Sequence, residues 1–259
     1  MWNWIKYLDR ILRGEATQPS ALRRGEIDQP TGGLAVIIVV LAMVYGLCMG
    51  TYSVFRGGHS AYLAAFATVI KVPALFFLTL LVTFPSLYVF NALVGSRLSL
   101  LSVLRLLVIS LAIMVTVLAS LGPIVAFFSA STSSYSFMLV FNVVVFAISG
   151  IIGLRYMLIT LNRLREASLL SEELDQAAVE LQGEVPLPIG TLEASQGRAT
   201  HREVMNVFRI WMFMFSLVGG QMAWILRPFL GSPDSHFSLF RVRGSSFFEG
   251  ILNALRHLF

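Results

Sequence analysis

Residues 34–55, LAVIIVVLAMVYGLCMGTYSVF, contain no charged side chain. As a helix this run measures roughly 33 Å, about the thickness of a bilayer's hydrocarbon core. A helix that is apolar all the way round needs apolar surroundings on every side. Four more runs share this character, at 62–94, 100–128, 135–161 and 204–230. Of the 259 residues, 56% are hydrophobic and 13% charged, against roughly 25% charged in a soluble domain. That leaves too few polar residues to cover the outside of a soluble fold. The sequence therefore predicts an all-α, polytopic membrane helical bundle of about five transmembrane helices, with amphipathic helices at both ends.

The second run, 62–94, is longer than a span requires and carries Pro73 and Pro85. It predicts tilt, a kink at Pro85 or a break near Pro73.

The segments between and around the runs divide the chain. Residues 1–33 begin with MWNWIKYLDRILRG, whose Trp2, Ile5, Leu8, Ile11 and Leu12 share one helix face. Tryptophans beside Lys and Arg suit a helix in the headgroup region, and a polar linker follows. Residues 34–161 form a four-span bundle. The polar insert at 162–203 opens with Leu169, Leu170, Leu174, Ala177, Ala178 and Leu181 on one face, which predicts that the fourth span continues as a helix to a stop at Gly183. A Pro- and Gly-containing linker leads to Thr200 and Glu203 at capping-box spacing, and 204–230 is the fifth span. In the tail, 231–259, Ser246 and Glu249 repeat the capping-box spacing. Phe247, Phe248, Ile251, Leu252, Leu255, Leu258 and Phe259 then form an apolar stripe too short to span, so this helix lies on the surface or docks on the bundle.

Five spans place the termini on opposite sides. Lys and Arg are more numerous in the arm before the first span and at Arg97, Arg105, Arg163, Arg165, Arg198 and Arg202 than in the segments of the other side. The positive-inside rule then puts the N-terminus in the cytoplasm. The net charge of +5 flanks apolar runs and forms no basic face, so anionic lipid headgroups are the expected partners and nucleic acid is not. A protein partner or a second copy is also expected. Absence of an N-x-S/T site points to a bacterial cytoplasmic (inner) membrane. The single cysteine, Cys48, follows Leu47 where a lipoprotein signal wants a small residue, and no cleavage site accompanies the first run, which is expected to remain as an uncleaved span.

Polar residues in or beside the spans are the candidate functional positions. Lys71 is either an ion or substrate contact or, with the length to spare in its run, an interfacial anchor. Arg105 and Arg155 have the spacing of juxtamembrane anchors, Arg155 forming a basic collar with Arg163 and Arg165. Arg209 and Arg227 lie roughly 26 Å apart along the fifth span, so both reach opposite interfaces. Asn91, Asn142 and Gln221 can bond across to other helices or line a path. Gly46 with Gly50, Ser149 with Gly153, Ser216 with Gly220 and Gly219 with Ala223 have the small-x-x-x-small spacing of close helix contact.

Catalytic chemistry finds little support. His59, His201, His236 and His257 are scattered, no H-E-x-x-H, G-x-S-x-G, P-loop or dinucleotide fingerprint occurs, and every Asp and Glu lies outside the apolar runs. The expectation is a non-enzymatic protein without catalytic residues, cofactor or metal.

The stretch VFNALVGSRLSLLSVLR, within an N-inside bundle of five spans behind a polar arm, resembles the middle loops of the Yip1-type membrane proteins. That family implies a role in membrane trafficking in eukaryotes. Its Asp-Leu-Tyr-Gly-Pro motif is missing and the insert at 162–203 departs from its compact ending. The tail LRPFLGSPDSHFSLFRVRGSSFFEGIL is similar to the ending of multispan bacterial proteins. Two functional expectations follow. A scaffold or anchor subunit predicts that Lys71, Asn91, Asn142 and Gln221 are dispersed or spent on interhelical bonds, whereas a small channel or transporter predicts that they converge on one cavity.

Overall fold

The computed structural model describes residues 2–13, 31–57, 61–93, 100–181, 201–227, 229–230, 239–240 and 246–257. Among these lie α1 (Trp2–Leu12), α2 (Thr31–Arg56), α3 (Ala61–Leu93), α4 (Leu100–Ser131), α5 (Tyr135–Leu181), α6 (His201–Leu226) and α7 (Phe247–Arg256), with no strand among the described residues. Helices α2 to α6 are each long and apolar enough to cross a membrane. The chain is an integral membrane protein with the all-helical bundle that its apolar runs predict. The first linker, the helix stop at Gly183 and the Thr200 cap lie outside the described residues.

Helix α2 is central, with α3 and α4 packed along it. Its buried residues Ile38, Ala42, Tyr45, Met49 and Tyr52 alternate steps of four and three. So do Leu111, Val115, Leu118, Gly122, Val125 and Ser129 of α4. This is the spacing of helices that cross at a shallow angle, side chain into gap. On the α3 side, contact is closer. A Cβ added at Gly46 would stand 2.9 Å from the carbonyl oxygen of Thr68, and one at Gly50 would stand 3.0 Å from Cα of Ala65. These glycines let two backbones touch.

Helix α3 runs unbroken through both prolines. Pro73 removes the donor for the Val69 carbonyl and Pro85 that for the Leu81 carbonyl, losses that packed membrane helices tolerate. The expected break near Pro73 is not found, because Val72, Pro73 and Leu75 are all buried and neighbouring helices hold the backbone on both sides.

Helix α5 packs on α4, where Gly153 is the contact point. A Cβ there would meet the Cβ of Met114 at 2.7 Å, and the Ser110 hydroxyl donates to the Gly153 carbonyl at 3.0 Å. The turn before α5 is tied to the end of α2, since Arg56 donates to the Thr132 carbonyl and the Tyr52 hydroxyl to that of Ser133. At its other end α5 continues without interruption for 47 residues, about 70 Å of helix. Beside it, α1 docks through buried Leu8 and Ile11, and the Tyr156 hydroxyl donates to the Ile11 carbonyl at 3.3 Å.

Helix α6 packs on α3, so α5 and α6 flank the central three helices and make little direct contact with each other. The tail after α6 is fastened along α3: Thr68 donates to the Phe229 carbonyl at 2.7 Å and Lys71 Nζ to that of Leu239. Helix α7 then comes to rest against both α5 and α6. Its capping box forms as the sequence predicts, with the Ser246 side chain accepting from the Glu249 amide and the Glu249 carboxylate accepting from the Ser246 amide.

Candidate functional site: a cleft between α5 and α6

The α5–α6 seam is closed at one end and hollow at the other. Phe208, Trp211 and Phe215 form the buried stripe of α6. The Trp211 indole donates to the Thr83 carbonyl at 3.1 Å and its ring lies 5.3 Å from that of Phe215. Beside these rings the remaining space is about 10 Å³. One turn further along the stripe stands Gly219, which carries no side chain.

Beyond Phe215 a cavity of about 730 Å³ opens. Ser216, Gly219, Gly220 and Ala223 make its α6 wall, and Asn142, Phe146, Ala147 and Gly150 belong to its α5 wall. Met49, Phe76, Thr79 and Met114 form the floor. Two of the wall glycines are not forced by contact: a Cβ at Gly219 would meet nothing nearer than Thr79 Cγ2 at 3.6 Å, and one at Gly150 nothing nearer than Met114 Cε at 3.7 Å. Their effect is to leave volume.

Helix α7 covers the cavity with Phe247, Gly250, Ile251 and Ala254, while Asn253 and His257 line its edge. The cover is seated by reciprocal fit. The Phe247 ring lies 3.0 Å from where a Cβ of Gly220 would be, and the Trp224 indole occupies the place of any side chain at Gly250. Arg227 stacks on Trp224, its guanidinium carbon 3.9 Å from the ring centroid, and also lines the cavity. Such a cation–π contact is worth about 0.5–2 kcal/mol, more as water is excluded.

The floor is rigid. The Tyr45 hydroxyl donates to Asn142 Oδ1 at 2.8 Å, and Asn142 Nδ2 donates to the Met138 carbonyl at 2.8 Å. Phe146 meets Tyr45 edge to face at 5.4 Å and stacks on Phe76 at 6.0 Å. Asn142 therefore borders the cavity with its amide already committed.

The polar residues singled out in the sequence scatter. Lys71 is buried away from the cavity, bonded to the Leu239 carbonyl with its ammonium 5.3 Å from the Phe240 ring centroid. Residues of the tail thus lie against its ammonium. Gln221 is half-buried and does not line the cavity, Arg105 is half-buried, and Arg155 and Arg209 are exposed. The Asn91 side chain lies outside the described residues. Among the members of the set whose side chains are described, Asn142 and Arg227 reach the cavity. The Ser216–Gly220 and Gly219–Ala223 pairs, expected at a close helix contact, instead face the hollow and α7. Small-x-x-x-small spacing signals a smooth surface, and a smooth surface becomes a wall where the partner helix stands off. Sequence reasoning missed Tyr45, Trp211 and Trp224. The Trp224–Arg227 pairing was available as an i, i+3 spacing of an aromatic and a cation.

An apolar, laterally placed cavity with a covering helix defines this as a polytopic helical membrane protein with an internal cleft. No family model, curated protein or solved structure matches the chain.

Proposed function

We propose that the protein is a non-enzymatic membrane subunit that scaffolds or anchors a membrane-associated complex. The observation that carries this reading is α5, which leaves the span Tyr135–Arg163 and runs on as one helix to Leu181. Those further turns stand roughly 27 Å beyond the membrane. A rigid arm joined without a hinge to a packed span holds a partner at fixed height and orientation. The positive-inside bias puts this arm and α1 on the cytoplasmic side.

The fate of the buried polar groups supports the same reading over conduction. Asn142 bonds to Tyr45 and Lys71 to the tail, so two of the four polar groups that could line an ion path hold the bundle together instead. The cleft narrows to a close at Trp211 and Phe215. Purification in mild detergent with identification of co-purifying proteins tests the proposal. The intact chain should retain a partner that is lost when residues 164–200 are replaced by a flexible Gly-Ser linker. A lone, monodisperse protein stabilised by a solute would sink it in favour of transport.

A further inference from the structure

We infer that the part of α5 beyond the membrane docks a helix of a partner protein, one whose apolar stripe is flanked by Lys and Arg. The inference rests on the scaffold reading above and names the chemistry of what the arm holds. Helix α5 is continuous to Leu181, whereas its membrane span ends at Arg163. Along that continuation Ala167, Leu170, Leu174, Ala177 and Leu181 follow one another at alternating steps of three and four. This spacing sets them on one side of the helix, the seam of a two-helix coiled coil, over roughly 21 Å. Outside the bilayer such a stripe gains by burial against another apolar face.

Charge selects the occupant. Glu166, Glu173 and Glu180 recur every seven residues, which sets all three on one flank of the stripe. Glu172 and Asp175 add to them, and no Lys or Arg occurs between Glu166 and Leu181. Residues that flank the seam are the ones that pair across a coiled coil and decide its partner. A membrane surface is a poor occupant, since its anionic headgroups repel the same carboxylates. A second copy is poor as well. Two copies in one membrane stand parallel and in register, which brings like charges together at equal height. A helix with Lys or Arg along the matching edge meets no such repulsion. The leucines supply affinity, and the carboxylates choose the partner and its direction.

The test measures fluorescence anisotropy of helical peptides added to the full chain in phosphatidylcholine nanodiscs. One peptide carries a Leu stripe flanked by Lys, a second has Glu in place of Lys, and a third is the Lys peptide scrambled. The first should bind about tenfold tighter than either other, by less in high salt. Glu166→Gln, Glu173→Gln and Glu180→Gln together should weaken it about tenfold, the usual worth of three exposed ion pairs. Leu170→Ser with Leu174→Ser should abolish binding. Glutamine keeps the helix propensity of glutamate, so the first variant decides even where the serine variant loses the arm. Equal affinity for the Lys- and Glu-flanked peptides, or undiminished binding by the glutamine variant, overturns the inference. A wild-type dimer that the serine variant dissolves overturns it in favour of a second copy. A partner that co-purifies equally with the glutamine variant, and is lost only on the Gly-Ser replacement, overturns it while the scaffold reading stands.

Discussion

The seam between α2 and α3 and the seam between α5 and α6 are built from the same material and come out opposite. Each has small residues four apart on one helix, Gly46 and Gly50 on α2 and Ser216 with Gly220 and Gly219 with Ala223 on α6. At the first, the facing residues are Ala65, Thr68 and Val69, and the backbones close until no Cβ fits. At the second, the facing helix is carried on α4 while α6 is carried on α3; Gly219 borders the cavity and Gly220 packs against Phe247 of α7. A glycine in a membrane helix thus permits approach without compelling it. What differs is direct support: α3 packs along α2 itself, whereas α5 and α6 are held by different central helices, with α7 lying against both.

This comparison can be broken at three places. Gly46→Leu forces α2 and α3 apart against backbone and should destabilise the protein by about 3 kcal/mol, at the upper end for overpacking. Thermal unfolding in detergent reads the loss, and a melting temperature equal to wild type would mean that the seam is not closed by backbone contact. Asn142→Leu removes the acceptor of the Tyr45 hydroxyl between α2 and α5. The expected loss is about 1 kcal/mol, as for other interhelical hydrogen bonds in lipid; a stabilised variant would show that the bond serves something other than the bundle. Gly219→Ala adds a Cβ at ordinary contact distance and should stay within about 0.5 kcal/mol of wild type. A loss as large as that of Gly46→Leu would mean the cleft is closed in the working protein.

The spans were legible in the sequence because hydrocarbon thickness and helix rise leave little choice about what an uncharged run can be. The run 135–161 matches the membrane span Tyr135–Arg163 of α5, whereas 204–230 overshoots the span Asn206–Leu226 of α6. The Ser246–Glu249 cap was legible for a local reason, since both partners sit within one turn. Which face of each span is buried was not. In water the apolar face is the inner one, but in lipid both faces are apolar, and Val40, Val44 and Leu47 of the outer face of α2 look like Ile38 and Met49 of the inner face. Only small and polar residues mark the interior, which is why Gly46, Gly50 and Asn142 could be singled out and the cleft could not. A cavity is a property of side chains that are absent from several helices at once, and no single stretch of sequence records it. Lys71 was ambiguous for a related reason: its acceptor is a backbone carbonyl, and every residue carries one.

The bond from Lys71 to the Leu239 carbonyl joins positions 168 residues apart. A ribosome adding roughly 5–20 residues per second needs about 10–30 s to make that stretch. For that interval α3 lacks the tail carbonyl to which its lysine donates in the folded chain. The seat of α3 is therefore completed by a segment made 168 residues later.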